Sequence, residues 1–189
     1  SSEEAYAIQN ELTKKYLSTN PKTSLIGKKI GCTNKAAQIQ INVKESFFGN
    51  MFSNNISKSN TIIYSDKYFS PFVEPEFSFV MKNELDYSKA PYNADEVYKS
   101  ISTVLPSIEL VDSRFEDWTS IGVNNLIADN AVHAHWVFGT EISNLDLFNF
   151  NNHSVDLFIN KKLIEKGNAN NVMENPINSL TWLINKLAL

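Results

Sequence analysis

Two glutamates stand two residues apart in the run "SPFVEPEFSFV" at residues 70–80, with Pro75 between them. Extended backbone alternates its side chains, so Glu74, Glu76 and Ser78 share one face while Val73, Phe77 and Phe79 share the other. Pro75 has no amide hydrogen for a ladder, which predicts an edge strand or a bulge. Two like charges on one face repel. Water, a cation or a raised pKa can relieve that repulsion, and spacing alone leaves all three open. A third acid, Glu109, lies in "LPSIELVD" beside Ile108, Leu110 and Val111, in a strand expected to be buried on at least one side. An unpaired ionised glutamate there costs on the order of several kcal/mol, so it needs Arg114, a lysine or a metal ion as partner. Three carboxylates on two strands would suit a hard divalent cation, Mg²⁺ or Mn²⁺.

The elements that must hold these groups belong to a globular chain. Of its 189 residues 42% are hydrophobic and 20% charged, and there are only six glycines and six prolines, which argues against a disordered or fibrous class. The net charge is −4 and the lysines and arginines are scattered, so no nucleic-acid partner is expected. Cys32 is the only cysteine, which excludes an intramolecular disulfide and multi-cysteine metal sites. No apolar run reaches membrane-spanning length, so no membrane partner is expected and a soluble, cytoplasmic protein is.

Helical periodicity opens the chain. "SSEEAYAIQNELTKKYL" begins with serine and glutamate caps and sets Ala5, Ile8, Leu12 and Tyr16 along one expected face. "LIGKKIGCT" reads as a strand, "NKAAQIQI" as a short helix and "SNNISKSN" as a polar loop. "NADEVYKSISTVL" has an Asn cap and helical spacing, and "PSIELVDSRF" is a strand. "DWTSIGVNNLIADNA" is helix or loop. "HAHWVFGTEI" and "HSVDLFINKKLIEKG" are strands, the second with a possible hairpin. "NPINSLTWLINKLAL" closes as a helix with Pro176 in its first turn and a stripe of Ile177, Leu180, Ile184 and Leu187. No glycine-rich phosphate loop and no regular βαβ rhythm appear, which argues against a dinucleotide fold.

The blocks "GKKIGCTNKAAQ", "VEPEFSFV", "LPSIELVDSRFEDW", "IADNA" and "NPINSLTWLINKL" occur in an order and spacing that resemble the 2-keto-4-pentenoate hydratase family of the fumarylacetoacetate hydrolase superfamily. The resemblance implies an α+β fold, a mixed β-sandwich roll with flanking helices. It implies that residues 1–189 form a single domain of that type, short of the C-terminal strands that full-length relatives carry. By the same resemblance Glu74, Glu76 and Glu109 hold Mg²⁺ or Mn²⁺, which binds a small 2-oxo acid through its carboxylate and 2-oxo group. Lys29 is the acid/base candidate, with a pKa expected to be depressed. Asp129 and Asn130 are implied at the substrate. The implied reaction converts a 2-hydroxydienoate to an enone and adds water at the remote carbon, giving a 4-hydroxy-2-oxo acid. Alternatives on the same scaffold are a 2-oxo acid decarboxylase, a C–C hydrolase, or a non-catalytic structural subunit.

The chain departs from the family pattern at defined places. Phe47 in "ESFFG" stands where hydratases often carry an aspartate. "DNAVHAH" puts Val132 in place of a small polar residue, followed by His133 and His135 on one strand face, a spacing open to metal ligation or to ordinary hydrogen bonding. Relatives continue beyond "WLINKLAL", so the closing helix is expected to leave apolar surface open, and the chain is expected to be a homo-oligomer or else incomplete relative to its gene, with little hydratase activity on its own. Trp118, Trp136 and Trp182 read as core or interface residues, Cys32 as a small buried hydrophobe, and Arg114 and Asp112 as members of structural pairs.

Overall fold

The computed structural model describes residues 1–148 and 150–189. Its regular elements begin with α1 (Ser2–Thr19), β1 (Leu25–Gly31), α2 (Lys35–Gln40), β2 (Phe47–Phe52) and β3 (Ile56–Lys58). They continue with β4 (Pro71–Met81), α3 (Ala94–Lys99), β5 (Ile101–Asp112), α4 (Val123–Ala128) and β6 (His133–Phe138). The hairpin β7 (Ser154–Ile159) and β8 (Lys162–Asn168) precedes α5 (Pro176–Leu187). Helices and sheets are intermixed, an α+β fold. β1 pairs with β2, β7 pairs with β8, and four strands form a sheet in the order β3-β6-β5-β4. β4, the strand with Pro75, is therefore an edge strand, as a residue without an amide hydrogen requires.

The chain divides into two compact units, Ser1–Glu74 with Ile108–Phe138, and Pro75–Ser107 with Gly139–Leu189. In the first unit, Ala5, Ile41, Phe47, Leu126, Ile127 and Ala131 form the core. Phe47 is a core side chain, its ring against Gly31. α1 opens on a capping box, Ser1 with Glu4. Its buried face is not the expected one: Ala5 and Gln9 are buried, whereas Ile8 and Leu12 are about half exposed. The physical reason is the Gln9 amide, which donates to the carbonyls of Phe48 (3.0 Å) and Ile127 (2.7 Å) and so ties α1 to β2 and α4. A polar side chain with both amide hydrogens satisfied is compatible with burial.

In the second unit, Val97, Ile101, Val104, Phe148, Phe150, Ile177, Leu180 and Ile184 pack together, with Phe77 and Phe79 of β4 beside them. The α5 stripe is thus a core face at Ile177, Leu180 and Ile184, with Asn175 capping the helix at the Ile177 amide. Two other expectations are corrected. Helix α3 ends at Lys99, because Ile101, Thr103 and Val104 are β-branched and join β5. The polar loop at 53–60 contains a short strand, Ile56–Lys58, parallel to Trp136–Phe138 of β6.

Candidate metal centre

Strand alternation does what the spacing requires at Glu74 and Glu76. Each offers a carboxylate oxygen, Glu109 of β5 offers a third, and these atoms all lie within 4.8 Å of one another. Ser78, next on the same face of β4, meets Ser107 of β5 through a hydroxyl–hydroxyl bond of 2.7 Å, and the Ser107 hydroxyl also donates to the Glu76 carbonyl at 3.3 Å. Glu74 is exposed as a residue, Glu76 is half-buried and Glu109 is buried.

β1 supplies the cation. Successive strand residues face opposite ways, so only one of the two lysines in "GKKIG" can reach the acids. Lys28 turns to the Asn50 side-chain oxygen and the Phe48 ring. Lys29 turns to Glu109, its Nζ 3.0 Å from Oε2, in an ion pair whose side chains are 10% and 5% exposed. Nζ also donates to the Ala131 carbonyl at 3.2 Å. That carbonyl belongs to a one-turn helix, Asn130–Val132, in which three successive residues have φ between 53° and 59°. Gly49, opposite Lys29 in the β1–β2 ladder, lets this segment come close: a Cβ on Gly49 would meet Ala131 Cβ at 3.1 Å and press harder still on the Asn130 carbonyl. The contact needs a residue without a side chain.

Behind Glu109 stands His133, the first residue of β6, with Nδ1 2.6 Å from Oε1 and a side chain 1% exposed. His135 bonds instead to Ser57 through Nε2 at 2.9 Å. The two histidines are therefore hydrogen-bonded side chains with different partners. The spacing "HAH" placed them on one face; their partners, 24 and 78 residues away, had no signal in the local sequence.

Asp129 and Asn130 are held by protein partners. Arg114 grips the Asp129 carboxylate through Nε (2.7 Å) and Nη2 (2.7 Å) and also donates to its carbonyl. Asn130 zips to the backbone of Asn50, accepting from its amide at 2.7 Å and donating to its carbonyl at 2.9 Å. Arg114 thus pairs with Asp129 rather than Asp112, whose carboxylate accepts from the amides of Phe69 and Ser70.

The electrostatics are uneven. Burial pushes the Glu109 carboxyl up, but the Lys29 ammonium and the His133 and Lys29 hydrogen bonds outweigh it, and its pKa lies below the usual range. Glu74 goes the other way: desolvation of its carboxylate and the nearby Glu109 charge raise it against the pull of Lys29. Cys32 is pushed up to about 11, chiefly by burial, so its thiol stays protonated at neutral pH. Three hard oxygen donors converge here with a charge deficit that a single lysine does not fill. They fit an oxygen-preferring divalent ion.

No family model matches the chain. It is 30% identical over 186 residues to the 2-hydroxypent-2,4-dienoate hydratase of Pseudomonas putida, covering 98% of this chain and 82% of that protein. It is 28% identical over 179 residues to 2-keto-4-pentenoate hydratase 2 of Dechloromonas aromatica (strain RCB), covering 95% of this chain but 66% of that one. The chain thus spans about two thirds of the length of the second relative. Among solved structures it matches 4-oxalocrotonate decarboxylase from Pseudomonas putida G7, complexed with magnesium and adipate, with a TM-score of 0.91 at 24% identity over all of this chain and 70% of that one. The same enzyme complexed with calcium and acetate gives a TM-score of 0.88 at 25% identity.

Proposed function

Because the chain belongs to the 2-keto-4-pentenoate hydratase family, with the α+β fold of the fumarylacetoacetate hydrolase type, we propose that it is a divalent-metal-dependent hydro-lyase acting on a small 2-oxo acid. The convergence of Glu74, Glu76 and Glu109 beside Lys29 carries this reading. Mg²⁺ or Mn²⁺ held by the three carboxylates supplies Lewis-acid stabilisation of negative charge on the substrate. Lys29 moves the proton: its Nζ is fixed by Glu109 and the Ala131 carbonyl, on the side of the cluster where β1 runs. A 2-hydroxydienoate gives up the proton of its 2-hydroxyl, gains one at its terminal carbon and becomes the isomeric 2-oxo-3-enoate. Water then delivers its hydroxyl to C4 and a proton to C3, giving the 4-hydroxy-2-oxo acid. Asp129 and Asn130 border the substrate, a role supported by the resemblance of the "IADNA" block, with Arg114 and the Asn50 backbone orienting them.

The test is turnover of 2-hydroxypenta-2,4-dienoate followed by its ultraviolet absorbance, with Mg²⁺ or Mn²⁺ added and after chelation. Metal-dependent consumption to 4-hydroxy-2-oxopentanoate is expected. Consumption unaffected by chelator, or absent with metal, overturns the reading. The likeness to the decarboxylase favours a second reading, in which the same charge stabilisation serves loss of carbon dioxide from a 2-oxo diacid. Carbon dioxide release in a parallel assay separates the two. We further place the protein in the cytoplasm as a homo-oligomer, in keeping with the exposed apolar side chains Phe158, Ile159 and Ile164 of the β7–β8 hairpin. Light scattering of a stable monomer at micromolar concentration would remove the oligomer.

A further inference from the structure

His133 takes no part in the chemistry above, and its surroundings are unusual. Its ring is buried, Nδ1 lies 2.6 Å from Oε1 of Glu109, and Nε2 is buried with no hydrogen-bond partner among the described residues. A histidine kept for packing alone gains nothing from a stranded nitrogen, because a buried polar atom without a partner destabilises the fold. The bond at Nδ1 is the compensating interaction. It is short, and its acceptor is a carboxylate whose other oxygen meets the Lys29 ammonium, so Nδ1–H donates to Oε1 in a charge-assisted bond. The backbone is arranged for this contact: the left-handed residues Asn130–Val132 immediately precede His133 and turn the chain into β6.

Glu109 therefore receives a donor on each oxygen, His133 on Oε1 and Lys29 on Oε2. Two donors approaching different oxygens fix the plane of a carboxylate. They still leave acceptor capacity, since an ionised carboxylate offers about four lone-pair sites. We propose that His133 is a positioning residue for the metal centre: it holds the Glu109 carboxylate in the orientation that completes the set with Glu74 and Glu76. This rests on the metal reading of that cluster. Second-sphere donors of this kind raise metal affinity by fixing a ligand before the ion arrives.

Three substitutions in the 189-residue chain test it, with free Mn²⁺ followed by electron paramagnetic resonance and folding checked by circular dichroism. His133→Leu keeps bulk and removes the donor. His133→Asn sets an amide nitrogen close to the position of Nδ1, whereas His133→Gln carries it one bond farther. The expected result is Mn²⁺ affinity within about threefold of wild type for His133→Asn, and at least about tenfold weaker for His133→Leu and His133→Gln. If His133→Leu does not fold, the contrast between Asn and Gln decides alone. Wild-type affinity in His133→Leu or His133→Gln, or equal loss in all variants, overturns the positioning role while leaving the metal centre standing. Failure of the wild type to take up Mn²⁺ would instead remove the metal reading and this role together.

Discussion

Lys29 and Glu109 meet in a buried ion pair, Nζ to Oε2 3.0 Å, between strands that are 80 residues apart in the chain. Breaking a buried pair from one side is costly, by about 3–5 kcal/mol, because the other charge is left uncompensated. Here the loss of the lysine also removes a positive charge from the edge of a cation site. Lys29→Met is therefore expected to abolish turnover of 2-hydroxypenta-2,4-dienoate, to lower stability in the absence of metal, and to leave Mn²⁺ affinity nearly intact, the removed positive charge offsetting the lost orienting bond to Glu109. Calorimetric titration checks the affinity; a loss of binding would make Lys29 a structural part of the centre instead of its proton carrier.

Removal of a carboxylate should act oppositely. Glu74, Glu76 and Glu109 each contribute an oxygen to one cluster, so Glu109→Ala is expected to weaken Mn²⁺ binding by more than about 100-fold, beyond the scale of second-sphere losses. One ion per wild-type chain is expected. Identical titrations for wild type and Glu109→Ala would remove Glu109 from the ligand set.

Acid and alkali should unfold the protein through different residues. Glu109 has a depressed pKa, so its contribution to stability is present above the pKa of an unfolded glutamate and is lost as pH falls through the folded value. Glu109→Gln should flatten the acid limb of a metal-free stability profile. Tyr6 is raised to about 12, chiefly by burial; its hydroxyl accepts a hydrogen bond from the Phe48 amide and its ring stacks on Phe48. A raised pKa stabilises below the unfolded value, and that contribution is lost as pH rises from about 10 toward 12. Tyr6→Phe should remove the last step of the tyrosinate titration at 295 nm. Persistence of that step would assign it to another tyrosine.

Two glycines of the β1–β2 ladder should respond differently to a methyl group. Gly49→Ala drives a Cβ into Asn130 and Ala131 and is expected to destabilise by about 1–3 kcal/mol, the usual scale of overpacking. Gly27→Ala meets only the Met51 sulfur at 3.8 Å and should stay within about 0.5 kcal/mol of wild type. Urea unfolding measures both. Equal effects would mean that the segment at Asn130 gives way without cost.

What was legible in the sequence was periodic or local. Alternation put Glu74 and Glu76 on one face, Pro75 marked the edge strand, and the three-to-four spacing of Ile177, Leu180 and Ile184 marked the core face of α5. Pairings across the fold were not legible. Nothing near Glu109 distinguishes Lys29 from Arg114 as its partner, and only the face reversal between Lys28 and Lys29 decides which lysine arrives. Hydrophobicity marks the wrong face of α1. Gln9 is buried through two carbonyls that belong to distant elements, while Ile8 and Leu12 face outward. Helical spacing overruns the end of α3 for a related reason: a capping box sets where a helix begins, and the β-branched residues after Lys99 set where it stops.

The left-handed turn at Asn130–Val132 also bears on engineering. Asparagine tolerates such backbone, but at Val132, with φ 53°, a β-branched side chain is held where the cost is about 1–2 kcal/mol per residue. That residue carries a reserve of thermostability that one substitution can release. Val132→Asn gives up some packing, since the valine is only half-buried, and relaxes the backbone. A rise in melting temperature of about 2–4 °C is expected if roughly 1 kcal/mol is recovered. A fall would show that the apolar contact of Val132 outweighs its conformational cost.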